Sequence, residues 1–161
     1  MRVAILTVSD RSSRGERADG GAPAIREALS TGGVQFEEVS YLVVPDEVEQ
    51  IAQAIRQAAD DSQVDVLLTT GGTGLAPRDV TPQATLSMLD YEVPGIAEAM
   101  RAASLRATPM GMLSRGTAGV RGRTLIVNLP GSPKAVRENL AAITAALPHA
   151  VETLRGEVGE H

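Results

Sequence analysis

Three short apolar runs constrain this chain more than any other feature: RVAILTV (residues 2–8), VDVLLTT (64–70) and TLIVNL (124–129). Each reads as a buried strand, short and partly β-branched. Between the first two lie segments of a different kind. GAPAIREALSTGG reads as a helix over about residues 23–30, with Pro23 in a first helical position and Gly32 as the stop. FEEVSYLVV alternates roughly and reads as a strand. In PDEVEQIAQAIRQAAD, the residues Val48, Ile51, Ala52, Ile55, Ala58 and Ala59 form one apolar helical face. The order β-α-β-α-β is the pattern of a parallel sheet covered by helices.

The second half is less regular. Thr81-Pro82 suits an N-cap and first helical residue, starting a helix to about Leu89. Another helix begins near Pro94 and runs past Arg106. Residues 114–120 are expected to pair with 124–129 in a hairpin around RGR. The final helix, SPKAVRENLAAITAALPHAVETL, is expected to bend or break at Pro148. No repeat or linker is visible, and 161 residues suit a single domain, 1–161.

Composition removes several functions. Aromatic residues are 2% of the chain, too few for a base-stacking nucleic-acid reader. A net charge of −5 argues against broad phosphate-backbone or membrane-surface binding. With no cysteine, thiolate metal sites and cysteine nucleophiles are excluded. The two histidines, His149 and the terminal His161, offer little to a histidine-based hydrolase or zinc site. The opening MRVAILTVSD is interrupted too early for a signal peptide or a membrane span, so a cytoplasmic location is expected. Chemistry must then rest on carboxylates, hydroxyls, arginines, backbone amides or a carboxylate-bound metal.

In an open parallel sheet, ligands bind beyond the carboxyl ends of the strands. Four polar loops fall there: residues 9–14, 45–46, 71–79 and 128–133. GGTG (71–74) lets backbone approach a ligand closely, or simply makes a tight turn. It is neither a Walker A loop nor a full dinucleotide fingerprint, because Pro77 takes the third glycine's place. Asp79 suits a ligand or a turn-closing residue. Asp46, with Glu49 three residues on, suits a ligand or a capping box. Two carboxylates converging on phosphate would repel it unless Mg²⁺ lay between them. Gly131-Ser132-Pro133 opens a helix and offers amides to an anion. Lys134, the only lysine, is either an anion contact or an exposed surface charge. Arg78, Arg115 and Arg121 carry the same two readings.

Taken in order, VSDR, VVPDE, TTGGTGLAPRDVTP, PGIAEAMR, MLSR and LIVNLPGSP make the chain resemble the Mog/MoaB molybdopterin adenylyltransferase family, which includes the N-terminal domain of gephyrin. The resemblance covers nearly the whole chain. It implies a three-layer α/β/α sandwich with a mostly parallel sheet and one antiparallel strand or hairpin. It also implies transfer of AMP from ATP to the terminal phosphate of molybdopterin, with Mg²⁺ required and pyrophosphate released. The product would pass to a molybdate-insertion partner. Homotrimers are expected, hexamers being the variant.

The resemblance matches Asp46 and Asp79 to the family's two important acids, and both are expected to be catalytic and metal-binding. Gly71, Gly72, Thr73, Gly74 and Asn128 would bind nucleotide. Ser9, Asp10, Ser12, Ser13, Ser114, Arg115, Pro130, Gly131, Ser132, Pro133 and Lys134 would bind molybdopterin or phosphate. Gln83 stands where many members carry Glu. The alternatives are a pterin- or nucleotide-binding paralogue without turnover, and an oligomeric scaffold.

Overall fold

A computed structural model describes residues 1–157; His161 lies outside the described residues. The three apolar runs are strands β1 (Arg2–Val8), β3 (Val66–Thr70) and β6 (Thr124–Leu129). Together with β2 (Glu37–Val44), β4 (Tyr91–Glu92) and β5 (Ala118–Arg121) they form one sheet in the order β2-β1-β3-β6-β5-β4. The first four strands of that order run parallel, while β5 is antiparallel to both neighbours.

Period-two burial on both faces explains the layers. Val3, Ile5, Val66, Leu68, Leu125 and Val127 face one core, which is closed by α2 (Gly21–Thr31), α5 (Pro94–Ala107), α6 (Pro133–Ile143) and α7 (Leu147–Arg155). Ala4, Leu6, Leu67 and Ile126 face the other, under α3 (Val48–Arg56) and α4 (Thr81–Leu86). A strand buried on both sides must be apolar throughout, as these runs are. The fold is therefore the expected three-layer sandwich with a hairpin.

Several local expectations change. The N-cap of α3 is Glu47, not Asp46, and no side chain caps that helix. Its apolar face continues through a π-helical turn, Gln57–Asp61, in which Ala58 and Ala59 are buried. Thr81 is the first residue of α4 rather than its cap, and the helix stops at Leu86. The last helix breaks at a 3₁₀ turn, Thr144–Ala146, and Pro148 sits harmlessly in the first turn of α7. There its missing amide costs no helical hydrogen bond. The two-residue strand β4 and the 3₁₀ turn Pro109–Leu113 had no periodic signal to announce them.

Strand register aligns the functional edge. Val8 lies beside Val44, Thr7 beside Thr70, and Thr70 beside Leu129. All four loops leave the sheet at this edge. The chain turns towards β2 after β1 and towards the opposite side after β3, so a crevice opens between those two strand ends.

Candidate active site

Backbone packing forms the floor of the crevice. Gly71 and Gly72 have φ of 98° and 67°, a left-handed region that glycine enters without strain. A Cβ on Gly71 would strike the Val8 carbonyl, and one on Gly72 would strike the Thr81 hydroxyl and come within 3.1 Å of Asp46 Oδ1. Thr81 accounts for the tight turn: its hydroxyl donates to the Gly71 carbonyl at 2.9 Å, and its amide to that of Gly72 at 3.1 Å. The loops touch as well, for a Cβ on Gly131 would lie 3.5 Å from Gly71 Cα.

Asp46 is held from a distant part of the chain. The Asp10 amide donates to Asp46 Oδ2 at 2.8 Å, and the Asp46 amide donates to Asp10 Oδ1 at 3.0 Å. This exchange, not helix capping, accounts for an aspartate at position 46. The two carboxyls nevertheless differ. The Arg78 guanidinium, bonded to both Asp10 oxygens at 2.7 and 3.0 Å, holds the Asp10 carboxyl below its ordinary range. Burial pushes the Asp46 carboxyl up, and the negative charges of Asp10 and Asp79 push the same way.

Asp79 closes a turn and also borders the crevice. Its Oδ2 accepts from the Ala76 amide at 3.0 Å and closes the turn after the glycines. It also lines the crevice with Asp46. Arg115 braces that turn, donating to the carbonyls of Gly74 and Asp79 and to Gln83 Oε1. Its guanidinium is thereby committed within the protein.

Two clefts meet at Gly72, Asp79, Gly131 and Ser132. The polar cleft, about 380 Å³, contains Asp46, Ser9, Ser12 and the start of α6. Ser9 caps the short α1 (Asp10–Ser13) by accepting from the Ser12 amide, and Ser132 caps α6 by accepting from the Ala135 amide. The second cleft, about 600 Å³, is more apolar: Leu75, Met110 and Leu113 flank Thr73, Gly74, Ser114 and Pro130.

Other expected site residues lie elsewhere. Asn128 is 1% exposed and directed inward: its amide nitrogen donates to the hydroxyls of Thr69 and Thr85, and its oxygen accepts from the Thr117 amide. It supports the strand end and lines neither cleft. Lys134 also lines neither; its Nζ lies 3.8 Å from Glu138 one helical turn on. Asp10 and Ser13 border a separate groove beside Arg78. Arg121 pairs with Asp60 at 2.6 Å, away from both clefts.

Sequence reasoning missed Asp19. Its carboxylate accepts from the Thr7 and Tyr41 hydroxyls and from the Gly21 and Ala22 amides, capping α2 beside the polar cleft. Burial opposes its charge, but these donors outweigh burial and leave its carboxyl below the ordinary range. Tyr41 is pushed up to about 12 by burial and by that neighbouring charge. The available signal was Asp-Gly-Gly at a helix start, with a carboxylate to accept the first helical amides and glycines for close packing. A Cβ on Gly21 would stand 2.6 Å from Thr70.

This edge has relatives whose identity decides the family. Residues 4–149 match the MoCF_biosynth family, described as "Probable molybdopterin binding domain". The chain belongs to that family. Among members of the molybdopterin-binding family, the molybdopterin adenylyltransferase of Helicobacter pylori is 41% identical over 97% of this chain and 89% of its own length. The Escherichia coli molybdopterin adenylyltransferase is 38% identical over 97% and 86%. A solved structure of the molybdopterin biosynthesis enzyme MoaB from Thermus thermophilus is similar with a TM-score of 0.90 and 58% identity, covering 96% of each chain. The family belongs to molybdenum-cofactor biosynthesis, and its members' architecture is the sandwich described above.

Proposed function

We propose that this protein is a molybdopterin adenylyltransferase. The observation that carries the reading is the pair Asp46 and Asp79, two carboxylates in one crevice with no cationic side chain bonded to either among the described residues. Acids left without an intramolecular cation suit a site completed by one from outside. The names of the relatives supply the substrate class.

In this reading an oxygen of the molybdopterin phosphate attacks the α-phosphorus of ATP. The bond from that phosphorus to the oxygen bridging to the β-phosphate breaks, and pyrophosphate leaves with the electron pair. No covalent enzyme intermediate is needed, so the protein contributes positioning and charge complementarity. The amides of Gly72, Gly131 and Ser132, which bond to no described residue, offer hydrogen-bond donors to phosphate oxygens beside the start of α6. Leu75, Met110 and Leu113 offer an apolar wall for a flat ring.

Mg²⁺ fits the residues present. Asp46 and Asp79 each accept through Oδ2, and neither Oδ1 accepts from a described residue. No group of three or more His, Cys, Asp or Glu suited to a metal occurs among the described residues. The ion would therefore complete its shell with phosphate oxygens and water, as Mg²⁺ commonly does. When bound, it would offset phosphate charge between the two acids.

The test is incubation with molybdopterin, ATP and Mg²⁺, with mass detection of adenylylated molybdopterin and assay of pyrophosphate. Binding of both substrates without pyrophosphate release would make the protein a carrier or scaffold instead. We also propose a single domain over residues 1–161, a cytoplasmic location and handover of product to a molybdate-insertion protein. No helix among the described residues is long and apolar enough to cross a membrane. A homotrimer is the proposed assembly; exposed Leu105 and Met112, outside both clefts, supply apolar area for subunit contact. Sedimentation equilibrium showing only monomer at micromolar concentration would exclude it.

A further inference from the structure

We propose that Arg17 is a phosphate-contacting residue, the one cation that this chain itself delivers to the reacting groups. The inference rests on the adenylyl-transfer reading and names a residue which that reading does not require.

Elimination within the cleft carries the argument. Among the described residues, Arg17 is the only Lys or Arg lining either of the two joined clefts. It is exposed and makes no hydrogen bond or ion pair with any described residue, although Asp19, Asp46 and Asp79 line the same cleft. The neighbouring basic groups are engaged or, like Arg11, line neither cleft. Arg78 is bonded to Asp10 and Glu47, Arg115 to Gly74, Asp79 and Gln83, Arg14 to Glu16, and Lys134 lies near Glu138.

The segment that presents Arg17 is anchored close by. Two residues on, Asp19 is fastened to β1 through Thr7, to β2 through Tyr41 and to the start of α2. Gly20 packs against Pro133 at the start of α6, where a Cβ would lie 2.9 Å from the proline ring. Arg17 thus belongs to the same wall as the start of α6.

Charge balance points the same way. Asp46 and Asp79 together match one divalent cation. A polyphosphate then still meets the negative charge of Asp19, and Arg17 is the available counterweight. A guanidinium can bond two phosphate oxygens at once, which an ammonium cannot do with the same geometry. The oxyanion could belong to the ATP triphosphate or to the molybdopterin phosphate, and separate measurements distinguish them.

The experiment compares the parent with Arg17→Gln, Arg17→Lys and Arg56→Gln. Arg56 is exposed in the last turn of α3, which starts at the cleft edge and carries it away by roughly 13 Å of helix. Calorimetry with sodium tripolyphosphate and with Mg-ATP should show binding weakened roughly tenfold or more in Arg17→Gln. Arg17→Lys should recover part of the loss, Arg56→Gln should match the parent, and all melting temperatures should coincide. A KM increase for ATP alone places the guanidinium on the triphosphate; an increase for molybdopterin alone places it on the acceptor. Parent-like binding and KM values in a folded Arg17→Gln protein that still adenylylates molybdopterin would overturn this inference and leave the reaction intact. Failure of the parent to bind either polyphosphate would overturn both.

Discussion

The two ends of the sheet use the same residue types in opposite ways. At the amino ends of the strands, Asp65 is bonded to Arg155 through both oxygens and to the Arg2 amide, while Asp60 is bonded to Arg121. At the carboxyl ends, the carboxylates of Asp46 and Asp79 accept from backbone amides and, among the described residues, from no arginine. Paired acids hold loops together. Unpaired acids in a crevice keep charge available for something absent from the chain. The exceptions at the carboxyl end are Asp10 and Glu47, which are paired with Arg78 and lie outside the polar cleft.

The largest expected effect tests that division directly. Asp79→Asn and Asp46→Asn keep an oxygen for the Ala76 and Asp10 amides but lose the charge. Each should lower kcat roughly a hundredfold or more while the protein stays folded. Asp60→Asn, at the other end, should leave kcat within about twofold of the parent. Steady-state adenylylation with circular dichroism on the same samples decides the matter. Parent-like turnover in Asp79→Asn would reduce its loop to a structural turn.

Glycines extend the comparison to backbone. Gly72→Ala meets the Thr81 hydroxyl and crowds Asp46 in a left-handed conformation, so strain and overpacking add to about 3 kcal/mol. Gly122, at φ 58° in the hairpin, has open space where its Cβ would be, and Gly122→Ala should cost only about 1–2 kcal/mol. Urea titrations measure both. Because substitution at Gly72 disturbs Asp46 and Thr81 before any ligand arrives, it cannot separate nucleotide binding from folding.

Asp65→Asn should act on stability alone. Removing the charge weakens the Arg155 pair, and partial solvent access to Arg155 limits the loss to about 1–2 kcal/mol. A lower urea midpoint with unchanged kcat is the expected result; a lower kcat would mean the two ends communicate.

The smallest effect is in pH dependence. The Asp46 carboxyl has a folded-state pKa raised above 3.8, so the folded protein holds that proton more tightly than the unfolded chain. Its contribution is fully present below 3.8 and is lost as pH rises through the folded value. Asp10 is lowered, so its contribution is present above 3.8 and is lost as pH falls through its folded value. The melting temperature of Asp46→Asn relative to the parent should therefore rise as pH is raised from 3 to 7, because only the parent loses the Asp46 contribution. An identical profile would show that Asp46 is not desolvated.

Much of the molecule was legible in one dimension. RVAILTV, VDVLLTT and TLIVNL announced strands covered on both faces, because a residue's burial is written in its own side chain and repeats with the period of its element. Parallel direction then sent the loops of Ser9, Asp46, Gly71 and Ser132 to one edge, whatever their exact conformations. Tertiary structure alone decided which groups within those loops would be free. Asp46 reads locally as a helix cap, yet the amide that holds it belongs to Asp10, far away in sequence. Asn128 reads as a polar strand end, yet Thr69, Thr85 and Thr117 satisfy it inside the protein. Lys134 reads as an anion contact or a surface charge and lies outside the clefts, while Arg17, unmarked in a polar stretch, lines the polar cleft. The physical reason is that hydrophobic burial follows local periodicity, whereas the partner of a charge is set by angstrom-scale distances between loops that only the packed sheet brings together.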